Sequence, residues 1–170
     1  MAETIAVKDL MIDVFEFPHI PYWFSIRQAM SIIKKSFLCE DKCYHPMGIL
    51  VFDEKYNLLG TLSLKDILKG ITPSFLKPIP RVQGVEVHEM GLSALWDGRE
   101  SRRAAERPVS EVMCPVTVFI SPDASLTRAA YLMIENEMMF LPVLDGKKKL
   151  VGVIRMADVF LELTNEIRNG

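Results

Sequence analysis

Hydrophobic and polar positions along this chain repeat one set of signals twice, and the second copy is the cleaner. After Pro108, residues 109–113 predict a short helical turn. Val116-Thr117-Val118-Phe119-Ile120 is β-branched and aromatic and predicts a strand, ended by Ser121-Pro122-Asp123. Ser125 is a suitable N-cap. Behind it Leu126, Ala129, Ala130, Met133 and Ile134 recur on one face and predict a helix over 126–137. Residues 141–144 and 150–154 predict two strands joined by a hairpin turn at Asp145-Gly146. A last helix is expected over 156–167. The order is strand, helix, strand, strand, helix.

The same signals occur earlier in the chain, which marks an internal duplication. Val7-Lys8-Asp9-Leu10-Met11 matches Val109-Ser110-Glu111-Val112-Met113. Ser25-Ile26-Arg27-Gln28-Ala29 matches Ser125-Leu126-Thr127-Arg128-Ala129. Ile49-Leu50-Val51-Phe52-Asp53 matches Leu141-Pro142-Val143-Leu144-Asp145, and Gly60 and Asp66 match Gly152 and Asp158. The expected organisation is repeat one over 5–70, a partly helical linker over 71–107, and repeat two over 108–167. A βαββα unit of about 60 residues buries too little apolar surface to be stable alone. Two copies packed sheet to sheet with pseudo-twofold symmetry are therefore expected, with equivalent clefts near Asp66 and Asp158. The fold class is α/β (α+β).

Composition narrows the function classes. A net charge of −2 gives no reason to expect nucleic acid or an anionic membrane as partner. No apolar run approaches the roughly 18 residues of a membrane span. The acidic start, Met1-Ala2-Glu3-Thr4, lacks the features of a signal peptide. Three cysteines, an odd number, argue against a disulfide framework and for a reducing cytoplasm. No nucleophile elbow, phosphate loop or zinc-protease motif occurs, and the three histidines are scattered, so no enzyme is expected.

The most informative pair is Gly60-Thr61-Leu62-Ser63-Leu64-Lys65-Asp66 and Gly152-Val153-Ile154-Arg155-Met156-Ala157-Asp158. Each reads as a strand running into a helix with a carboxylate on the first turn. That geometry suits a sugar hydroxyl at the carboxylate and a phosphate at the helix-start N–H groups. The plainer reading also stands: an aspartate there favours the helix dipole with or without ligand.

With these elements in order and twice, the chain resembles a pair of CBS domains, the cystathionine-β-synthase-type regulatory motif. The resemblance covers about residues 5–70 and 108–167 and leaves 71–107 unexplained. It implies a module that binds an adenosine compound (AMP, ADP, ATP or S-adenosylmethionine) between repeats, needs no cofactor, forms a homodimer and signals to a separate effector protein. It implies that Asp66 accepts ribose hydroxyls and that Ser63 donates to ribose or phosphate, with Thr61 and Lys65 beside them. Thr117 and Val118 would offer backbone groups to the adenine edge, and Met138, Met139 and Met47 an adenine wall. The methionines serve equally as core gap-fillers. A second, weaker cleft would comprise Val153, Arg155 and Asp158. Arg155 stands there where serine or threonine is usual, and suits a phosphate, a pairing with Asp158, or filling the site itself. The partner segment Val14-Phe15-Glu16-Phe17 is irregular. A ligand-free interaction module is the alternative.

Two other features weigh less. Cys39, Cys43 and His45, with His19 or Cys114, are too loosely spaced for a metal site, so no metal is expected. The arginine-rich stretch at 96–107 suits a short helix with a solvated charged face, and Lys147-Lys148-Lys149 a solubilising hairpin tip.

Overall fold

The computed structural model describes residues 5–38, 47–72 and 98–169. The chain divides into two compact units, residues 19–114 and residues 1–18 with 115–170. Each is described by itself.

In the unit 19–114, β2 (His19–Pro21), α2 (Ile26–Phe37), β3 (Gly48–Phe52), β4 (Leu58–Ser63) and α3 (Leu64–Ile71) give the expected βαββα order. β2 runs parallel to β3, and β3 antiparallel to β4, with Leu50 opposite Thr61 and Gly48 opposite Ser63. A short β5 (Cys114–Pro115) completes a four-stranded sheet beside β4. β3 is buried throughout. Ile20, Ile26, Ile33, Ile49, Val51, Leu62, Ile67 and Val109 form the core. The arginine-rich stretch supplies α4 (Arg99–Ala104), whose Arg102 and Arg103 are exposed while Ser101 and the adjoining Ala105 are buried.

The other unit has the same plan. α5 (Leu126–Glu135), β6 (Phe140–Leu144), β7 (Leu150–Arg155) and α6 (Met156–Asn169) follow in order. β1 (Ile12–Asp13) and β6 flank β7, both antiparallel to it. Ile120 bridges Val143 in parallel, as Ile20 does Val51 in the first unit. Ser25 and Ser125 both cap their helices, accepting from the backbone N–H of Gln28 and Arg128.

Repeat and compact unit are different partitions of this chain. The opening turn α1 (Val7–Leu10) belongs to the unit of the second repeat, where Val7 N–H donates to Ala124 O at 2.8 Å. Its counterpart, the 3-10 turn Val109–Glu111, belongs to the unit of the first repeat, where Val109 N–H donates to Phe24 O at 2.7 Å. The opening turns are thus exchanged. This exchange explains both glycines of the repeated element. A Cβ on Gly152 would lie 2.6 Å from Ile12 O, and one on Gly60 2.7 Å from Cys114 O. Each glycine lets the exchanged segment's carbonyl lie directly on its strand.

Three local expectations are corrected. Residues 116–119 form no ladder: pairing stops at Pro115, which has no N–H to donate, and Thr117 and Phe119 are exposed. Ile134 is 69% exposed, so the buried stripe of α5 is Leu126, Ala129 and Met133. The hairpin after Asp145 is longer than a two-residue turn. Asp145 Oδ1 accepts from the N–H groups of Lys147 and Lys149, and Lys148, not Gly146, takes the left-handed conformation at φ 59°. Asp53 organises the equivalent loop through Lys55 and Asn57, with Tyr56 at φ 61°.

Candidate functional site

The site is built where β4 runs into α3. Ser63 is the last residue of the strand and the N-cap of the helix, in an extended conformation. Its Oγ accepts from Asp66 N–H at 3.1 Å and donates to Asp66 Oδ2 at 2.6 Å. Ser63 N–H donates to the same Oδ2 at 2.8 Å. This capping box satisfies two orphan donors of the helix start and fixes both side chains. It leaves Asp66 Oδ1, which faces the Cys114 thiol at 3.6 Å. That is a weak donor at long range, so Oδ1 keeps acceptor capacity. Lys65 stands exposed between them, and Thr61 is buried on β4. Met47 lies at the same helix start, its carbonyl accepting from Leu64 N–H at 3.4 Å.

Where β7 runs into α6, the serine is replaced and the arrangement closes on itself. Arg155 Nε donates to Asp158 Oδ2 and Nη2 to Oδ1, both at 2.7 Å. The two side chains are only 9% and 19% exposed. Of the roles open to Arg155 from the sequence, the structure shows the pairing with Asp158. Both carboxylate oxygens face the guanidinium fork and the charge is neutralised in place. Val153 is buried on β7 opposite Ile12 and Pro142. Met139 holds the place here that Met47 holds at the first helix start, its carbonyl accepting from Met156 N–H at 2.8 Å. Met138 is half-buried against the core of this unit, while Met139 is exposed. Thr117, exposed, and Val118, half-buried, also belong to this unit. The Asp13 turn carries Phe15, 87% exposed, with Glu16 N–H donating to Asp13 O.

The sequence alone does not place Cys114 beside Asp66. Burial, then the Asp66 charge, pushes its thiol above the ordinary cysteine range, with Lys69 and Lys65 opposing. The signal was available: Cys114 matches Ile12 in the repeat alignment, and Ile12 pairs with β7. Among the described residues no three His, Cys, Asp or Glu side chains group as metal ligands. Cys39, Cys43 and His45 lie outside the described residues. No helix among the described residues is long and apolar enough to cross a membrane.

Comparison with known proteins agrees with this architecture. The family model of the CBS domain matches residues 109–165. Over 124 residues the chain is 25% identical to an uncharacterized protein of Methanocaldococcus jannaschii, covering 66% of this chain and 70% of that one. It is similar in structure to CBSX2 in complex with AMP, with 20% identity, a TM-score of 0.64, and 96% and 98% of the two chains covered. It is also similar to the cytosolic domain of the Mg2+ channel MgtE in complex with ATP, with 21% identity, a TM-score of 0.60, and coverage of 94% and 49%. The CBS domain is thus matched over residues 109–165, and the fold along the chain is that of CBS-pair structures.

Proposed function

We propose that this protein is a regulatory module that binds an adenosine-containing ligand at the Ser63–Asp66 helix start and passes the binding event to a separate protein. The observation that carries the reading is the free capacity of Asp66 Oδ1 beside a carboxylate already held rigid by Ser63. A fixed carboxylate oxygen accepts a ribose hydroxyl without first being ordered. Exposed Lys65 adds positive charge for a phosphate. The AMP and ATP complexes of the similar folds support an adenosine compound as the ligand class. The Arg155–Asp158 helix start is assigned no nucleotide, because its carboxylate is already matched by a buried cation.

The signal is differential binding: the ligand stabilises one state of the pair of repeats, and the effector reads that state. No catalytic role is assigned. Isothermal titration of the purified chain with AMP, ATP and S-adenosylmethionine tests the proposal. Saturable binding of at least one is expected. No heat and no thermal shift with any of them at millimolar concentration would overturn it and leave the ligand-free interaction module.

A further inference from the structure

A second feature of the unit 19–114 points to a ligand and involves none of the residues at the Ser63–Asp66 helix start. Between α2 and α4 lies a cavity of about 390 Å³. That volume suits a small metabolite. Arg27, Ser31 and Lys34 come from successive turns of α2, on one face of that helix. Ser101 and Arg102 come from α4. Met30, Ile71 and Ala105 give the cavity an apolar wall.

Two observations are unexplained by packing alone. Ser101 is 7% exposed, lines the cavity, and its Oγ has no hydrogen-bond partner. A buried hydroxyl without a partner is costly, and a ligand atom in the cavity removes that cost. The charges are also unbalanced. Arg27 is paired with Glu106. Among the described residues the side chains of Lys34 and Arg102 have no acidic partner, which leaves two positive charges at the rim.

We propose that this cavity binds a small phosphate monoester. A dianionic phosphate balances Lys34 and Arg102, accepts a hydrogen bond from Ser101 Oγ, and leaves its ester carbon against Met30 and Ile71. Arginine suits the fork of a phosphate and lysine acts as a point charge beside it. The site is independent of Asp66, so it stands or falls separately from the adenosine reading.

Phenyl phosphate and inorganic phosphate, titrated into the full chain and followed by calorimetry and phosphorus NMR, test the proposal. Phenyl phosphate is expected to bind once per chain, at least fivefold more tightly than inorganic phosphate. Lys34→Ala and Arg102→Ala should each weaken it tenfold or more, and Ser101→Ala about threefold. Arg102→Lys should keep most of the affinity, which separates lost charge from lost folding. Asp66→Ala should leave it within twofold. Absent saturation at millimolar phenyl phosphate, or binding that survives the Lys34→Ala/Arg102→Ala double variant with an unchanged melting point, would overturn the site. So would loss of binding in Asp66→Ala.

Discussion

The two helix starts of this protein carry the same aspartate and use it in opposite ways. At Ser63 the serine takes one oxygen of Asp66 and leaves the other facing a weak thiol donor. At Arg155 the guanidinium takes both oxygens of Asp158. The glycine and the aspartate recur for reasons internal to the fold. Gly60 and Gly152 admit a backbone carbonyl that no Cβ would allow, and an aspartate in the first helical turn stabilises the helix start. Their recurrence therefore speaks for the fold. The residue three positions before the aspartate decides what is left for a ligand.

The glycines are where the two units should behave alike, and they give the largest effect. Gly60→Ala and Gly152→Ala each press a methyl group against a backbone oxygen, and each should cost about 3 kcal/mol, the upper end for overpacking. Urea unfolding reads this. A cost under about 1 kcal/mol at either position would mean that the exchanged segment does not lie against that strand.

Arg155→Ala should separate the units. It strands the Asp158 carboxylate in a mostly buried setting, at a cost of about 2–3 kcal/mol, below the range for a fully buried pair because Asp158 is partly exposed. Ser63→Ala removes only a cap and should cost about 1 kcal/mol. Equal melting-point losses for these two variants would erase the structural contrast. The smallest effect concerns Cys114. Burial raises the thiol's pKa most and the Asp66 charge adds to it; Asp66→Asn removes that second cause, so iodoacetamide at pH 8 should label Cys114 faster. Peptide mass spectrometry distinguishes this site from the other cysteines. An unchanged rate would place Asp66 away from the thiol.

What the sequence made legible was mostly local. Ser125 announces its helix, and Asp53 and Asp145 their hairpins, because each bonds to backbone within four residues. The pairing of Arg155 was open from sequence, since a phosphate and Asp158 suit a guanidinium equally, and only the packed geometry selects one. The exchange of opening turns was not legible: the repeat pattern places Val7 and Val109 in register but carries no information on which helix start receives each. The strand propensity of residues 116–119 misled because a ladder needs a partner, and Pro115 ends the pairing before them. Ser101 gave no signal either. In an arginine-rich stretch it reads as surface, and only the fold buries it.

The central claim is that one helix start is a ligand site and the other is closed, and calorimetry with AMP on two variants tests it most directly. Asp66→Ala should abolish binding, while Asp158→Ala should change the Kd by less than about twofold, with circular dichroism confirming that both remain folded. Equal losses in both variants, or a loss confined to Asp158→Ala, would contradict the account.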